Sequence, residues 1–309
     1  MAKPEQVARY LREAEPKLLC ARLDSAAAKL QAFQTLGTHK WDRTQMGCAA
    51  QYSFELAAAQ PANDELFMAA LIAQVDYLDL LASEFEGLYQ GPTLSTELNL
   101  RWGRAKQQAQ ALLKQAPDSL AQSPEFRIIR AAYWLAASVK QATPQEVAQA
   151  TRQAMPELDA LVREHPQALG GLAVLLMGRL TFALPEFAGG DPLRAIELFK
   201  QGIAINPANI VMRRWLVEVY ISERDYPSAL ESINAALKVP VDMTEPQAYA
   251  DETRALAGLA LRAGDETLSQ QISTTRQAFL KANPQLLTRV SGASFGHGGA
   301  DPFTGKEAD

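Results

Sequence analysis

Few residues in this chain have the types and spacing that chemistry demands. The histidines His39, His165 and His297 are scattered, and none has a second His, Cys or carboxylate at the helical spacing of a metal site. No metal or acid–base role is expected of them; His165 directly precedes Pro166, where its charge suits a helix C-terminus. The stretch Gly299 to Lys306 imitates a phosphate loop, but five residues separate its glycines where four are required, and Glu307 stands where Ser or Thr should follow. Neither GxGxxG nor a paired-cysteine pattern occurs, and the chain is expected to be non-enzymatic and to carry no cofactor. Cys20 and Cys48 are too few for a disulfide framework or a zinc site. If both sit on antiparallel helices turning near Gly37, they are offset by about 6 residues or ~9 Å, beyond the ~7 Å Cα limit of a bridge. Two buried thiols are therefore expected.

The elements that must carry any site are helical. Of 309 residues 48% are apolar and 21% charged, which suits a globular chain, and no alternating strand pattern competes with the Ala/Leu/Gln-rich runs. Thirty Lys and Arg against 35 Asp and Glu give a net charge of −5 without a basic block, so nucleic acid is not an expected partner. The longest apolar stretch, Ala168 to Gly178, falls well short of the ~20 residues of a membrane helix, and no secretion signal or lipid-anchor cysteine is legible near Met1.

Internal repetition is the clearest signal. Six amphipathic runs close on proline, at Pro61, Pro117, Pro166, Pro207, Pro240 and Pro284, 33 to 56 residues apart, each long enough for a helical hairpin. Proline cannot continue a helix and drives its predecessor out of the α region. Helices are expected over about 5–35, 42–60, 62–88, 94–116, 124–142, 144–164, 167–184, 192–205, 208–222, 226–238, 245–263 and 266–282. Asp191-Pro192, Thr143-Pro144 and Asp225 supply caps at three of the starts. The expectation is an all-α, curved solenoid of about 11–12 helices in one domain over 1–284, followed by a disordered Gly/Ser/Asp-rich tail over 285–309.

The best-preserved repeats lie within 167–240. Ala195, Phe199, Gly202 and Pro207 occupy the small, aromatic, small and proline positions of a tetratricopeptide second helix, and Tyr220, Tyr226, Ala229 and Ala236 follow in corresponding places. The small residues are needed where two helices cross at ~8–10 Å. Within 124–240 the order of helices, together with Leu184, Pro185, Gly189, Gly190, Asp191, Ala195 and Phe199, resembles the T-component family of tripartite ATP-independent periplasmic (TRAP) transporters. That resemblance implies a periplasmic helical protein with a groove or tunnel that partners a solute-binding subunit. A general tetratricopeptide scaffold, cytoplasmic or periplasmic, is the alternative.

Gly189, Gly190 and Asp191 have a structural reading that needs no family. The glycines can adopt positive φ and end one helix; Asp191 caps the next. A glycine pair at a helix start could also hold an anion. Counting back from Ala195 puts Met177, Leu180, Leu184 and Phe187 on the face that lines the concave side of a repeat array, with Arg214 and Glu218 in the next repeat. An apolar stripe of this kind is expected either to hold a hydrophobic molecule or lipid, to dock a protein partner, or to be covered by neighbouring helices. Arg213 and Arg214 point about 100° apart, so at most one aims at the groove, and the count selects Arg214. Trp41, Trp102, Trp134 and Trp215 are expected to fill the space between helices.

Overall fold

The structure, a computed structural model, describes residues 20–38, 42–85, 92–138, 144–243 and 245–286. Among them are thirteen α-helices and no strand: α1 Ala26–Leu36, α2 Arg43–Ala59, α3 Asp64–Phe85, α4 Pro92–Gln115, α5 Asp118–Ala121, α6 Pro124–Ala137, α7 Pro144–Glu164, α8 Leu172–Ala183, α9 Pro192–Ile205, α10 Ile210–Ser222, α11 Tyr226–Ala236, α12 Pro246–Arg262 and α13 Glu266–Ala282. The all-α architecture of helical hairpins is as the proline punctuation predicts. The single domain expected over 1–284 packs as two compact units, one reaching to Gln122, the other built from Ser123–Leu135 and α7 to α13. Of the tail expected over 285–309, Gln285 and Leu286 belong with Pro284 to a 3-10 turn in which Leu286 is buried, and 287–309 lie outside the described residues.

In the first unit α1 packs on α2, α2 on α3 and α3 on α4. Their starts are fixed locally: the Ser25 side chain accepts from Ala28 N, and Asp42 accepts from Thr44 N and Gln45 N. Leu56, Phe67, Leu71, Leu78, Leu81 and Leu98 are fully buried, each stabilising the unit by roughly 1.5–3 kcal/mol. One polar side chain crosses this core. Gln74 of α3 is buried and donates to Ala50 O of α2 at 2.8 Å and to Gln108 Oε1 of α4 at 3.0 Å, joining three helices.

The expectation for the cysteines is overturned. Cys20 and Cys48 form a disulfide with Cα atoms 5.2 Å apart. The estimate failed because it ran a helix through Cys20, whereas residues 20–25 are non-helical and α1 begins only at Ala26. Free of the helical rise, the segment lies back along α2, where Tyr52 Oη donates to Ala21 O at 2.6 Å, and just beyond it Lys29, in the first turn of α1, pairs with Glu55 at 2.6 Å.

In the second unit α6 and α7 pack around α8, and from there α8/α9, α10/α11 and α12/α13 are antiparallel pairs. Three of their links share one construction. Asp191, Asp225 and Asp265 cap α9, α11 and α13, their carboxylates accepting from Arg194 N, Ser228 N and Leu268 N at 3.0, 3.2 and 2.8 Å. Just before them Gly189, Arg224 and Gly264 take positive φ of 96°, 60° and 87°. That left-handed residue reverses the chain and frees the amides of Asp225 and Asp265 to bond back to Tyr220 O and Ala260 O. The expected helix over 167–184 starts only at Leu172, because Leu169, Gly170 and Gly171 all have positive φ.

Candidate functional site

The first helices of the three repeats, α8, α10 and α12, carry the charged and aromatic cluster of the second unit. Two helices stack on one another here, α10 against α12, so side chains far apart in sequence meet. Arg214 of α10 donates from Nε to Glu252 Oε2 of α12 at 2.7 Å and lies 3.6 Å from Glu218 Oε2, one turn along its own helix. Arg262 of α12 reaches Glu218 Oε1 at 3.2 Å. Trp215, beside Arg214, is half-buried, with Arg214 Cζ 3.9 Å and Arg179 Cζ 5.0 Å from its ring centroid. Phe182 meets its ring edge-on at 6.3 Å, and Phe199 stacks on it at 6.5 Å.

Electrostatics make Glu252 the most constrained group in the cluster. Burial lifts its carboxyl above the usual range, while the Arg214 guanidinium pulls it back. With side-chain exposures of 16% and 14%, Arg214 and Glu252 form a mostly desolvated pair that fixes α10 against α12.

The residues singled out from the sequence divide into two groups. Arg214 and Glu218 stand together in the ion network, as the register count places them. Met177 and Leu180 do not line an open groove. They are 0% and 8% exposed and belong to the core formed with Ile128, Ala154, Leu158 and Leu161, because α6 and α7 cover this side of α8. Leu184 is partly buried against the same core. Phe187 is 94% exposed on the turn, away from that core. Gly189, Gly190 and Asp191 build the turn: Gly190 N donates to Pro185 O at 3.0 Å, and a Cβ on Gly190 would overlap the Leu184 carbonyl.

Arg179, Trp215 and Glu252 are the residues sequence reasoning did not assign to this face. Trp215 stands immediately after the arginine that was selected, and that adjacency is the one signal available for it. Trp102 is core as expected, Trp134 and Trp215 are only partly buried, and Trp41 lies outside the described residues. His165 is exposed after α7; His39, His297 and the stretch Gly299 to Lys306 lie outside the described residues.

In the first unit a cavity of about 20 Å³ opens among Cys20, Gln51, Tyr77, Arg101, Arg104 and Gln108, room for about one water. Buried Arg101 there donates to Glu97 Oε1 at 2.8 Å and to Tyr77 Oη at 3.2 Å, bracing α4 on α3. Among the described residues no three His, Cys, Asp or Glu side chains are grouped to hold a metal ion, and no single helix is long and apolar enough to cross a membrane.

Fold and face together define a helical-hairpin repeat protein whose distinctive surface is a ladder of arginines, carboxylates and one indole. A family model of the tetratricopeptide repeat matches residues 186–250, from the turn before α9 to the start of α12. The chain is thus tetratricopeptide-like. No curated protein matches it.

Proposed function

We propose that the protein is a docking scaffold for other proteins, and that the face formed by α8, α10 and α12 is where they dock. The observation that carries this reading is Trp215: a large aromatic held half-exposed by two guanidinium groups in the middle of that face. Aromatic and arginine side chains, fixed in place before binding, are what dominate protein interfaces energetically.

A narrower reading is supported by a second observation. The Cys20–Cys48 bridge suits an oxidising compartment such as the periplasm. Together with the Leu184–Asp191 turn it favours an accessory role like that of the TRAP T-components, in which the docked protein is a solute-binding subunit. A hydrophobic ligand along Met177 and Leu180 has no support, since both are core residues.

Site-specific photo-crosslinking in cells tests the scaffold. A photoreactive residue at Ser222, exposed on α10, should capture a protein, and one at Gln201, exposed on α9, should not. Equal capture at both positions, or none at Ser222, removes the docking face. Mass spectrometry of the captured protein decides the narrower reading: a solute-binding subunit supports it and any other protein ends it.

A further inference from the structure

Arg101 of α4 is buried, and its guanidinium spends only part of its fork of donors. Nε donates to Glu97 Oε1 at 2.8 Å and Nη1 to Tyr77 Oη at 3.2 Å, which leaves Nη2 with no acceptor among the described residues. Glu97 does not belong to Arg101 alone. Arg43 Nε stands 3.8 Å from the same carboxylate oxygen, and the Glu97 side chain is 37% exposed. A single, partly hydrated carboxylate is thus shared between two guanidinium groups, and a buried cation that is incompletely matched is costly. The cavity of about 20 Å³ against Arg101 has the lining to complete the match. Gln51 of α2, Tyr77 of α3 and Arg104 and Gln108 of α4 surround it, and no carboxylate does so among the described residues. Behind it, buried Gln74 donates from Nε2 to Ala50 O at 2.8 Å and to Gln108 Oε1 at 3.0 Å. Two acceptors of the lining are spent in this way, and the Gln108 amide keeps its Nε2 as a donor. N–H groups left over beside a buried cation suit an anion, whereas a water brings two hydrogens that need acceptors of their own.

We propose that this cavity binds a chloride-sized monovalent anion, held by Arg101 Nη2 and Gln108 Nε2 between α2, α3 and α4. The volume admits one monatomic ion and leaves no room for a phosphate or a carboxylate metabolite. The site lies wholly within the first unit, so it stands or falls independently of docking on α8, α10 and α12. An ion seated among three helices binds the folded unit and not the unfolded chain, which ties the stability of that unit to the chloride around it.

Melting of the full disulfide-bonded chain in sodium chloride, against sodium gluconate at equal sodium concentration, tests the site, because gluconate is too large to enter. The midpoint should rise with chloride and level off, by about 3–6 °C at saturation. Gln108→Glu keeps an oxygen for Gln74 and brings a carboxylate of its own to the place of the ion. That variant should melt in gluconate at or above the parent and no longer respond to chloride. Crystals of the parent grown in sodium bromide should show an anomalous peak within hydrogen-bond distance of Arg101 Nη2, and crystals of Gln108→Glu should not. A parent that melts alike in the two salts, a variant that responds to chloride as the parent does, or a bromide crystal with only water in the cavity overturns the assignment.

Discussion

Gly178 of α8 faces the edge of the Phe199 ring of α9 so closely that a Cβ there would stand 2.7 Å from Phe199 Cε1. Phe199 is fully buried and also stacks on Trp215, so this one contact sets how far α8 stands from its partner helix and, through the ring, how the indole is held.

Gly178→Ala should therefore destabilise the second unit by about 1–3 kcal/mol through overpacking. Gly103→Ala, in α4 with nothing within 4 Å of the added Cβ, should instead stabilise by about 0.5–1 kcal/mol. Urea unfolding midpoints of the two variants should move in opposite directions.

Arg224 has φ 60° directly before its capping aspartate, the position where Gly264 stands in the next hairpin. A side chain there costs about 1 kcal/mol, so Arg224→Gly should raise stability by about that amount, and Gly264→Ala should lower it similarly. Calorimetry of both reads the sign directly.

The disulfide closes a loop across 28 positions, worth about 3–4 kcal/mol in the chain-entropy account. Protein unfolded without reductant should titrate no free thiol, and Cys48→Ser should lose stability on that scale. Two reactive thiols in the unreduced, unfolded protein would contradict the bridge.

Leu180→Glu places a carboxylate inside the core around α8, where the side chain is 8% exposed. The loss should be about 3 kcal/mol or more. Phe187→Glu, on the exposed turn, should stay within about 0.5 kcal/mol of the parent. Similar melting curves for the two would place Leu180 on an open surface after all.

Burial opposes ionisation of Glu55, but hydrogen bonds from Lys29 and Gln51 outweigh it and hold the carboxyl below its usual range. The folded value thus lies below the unfolded one, and the stabilisation is complete at neutral pH and lost as pH falls through the lowered value. With 35% of the side chain exposed, it amounts to no more than about 1 kcal/mol. Glu55→Gln should unfold at lower urea than the parent at about pH 7 and together with it at about pH 3.

Helix ends that rest on neighbours in sequence were legible. Asp191-Pro192 and Asp225 name the starts of α9 and α11, and prolines name several ends, because capping and the missing amide act within a few residues. The start of α8 was not, since Gly170 and Gly171 sit inside an apolar run whose periodicity continues through the left-handed turn. Of the candidate site, Arg214 and Glu218 followed from register within one helix. Arg179 and Glu252 did not, because they join that pair only when α8, α10 and α12 come side by side. The stripe of α8 was legible as apolar, but a ligand, a partner and covering helices all remained open for it: whether α6 and α7 cover it is a matter of tertiary packing, to which a hydrophobic period is blind.

The Cys20–Cys48 bridge also sets a load path. The whole of α1 lies between the two sulfurs along the chain, so tension applied upstream of Cys20 passes through the bond into the middle of α2 and bypasses α1. A pull from that side cannot peel α1 away turn by turn; it must draw on α2, which is packed against α3 along its length. Under force the bridge makes a short helix at the edge of the unit as hard to unravel as the helices behind it, and reduction of a single covalent bond would return that helix to the line of tension.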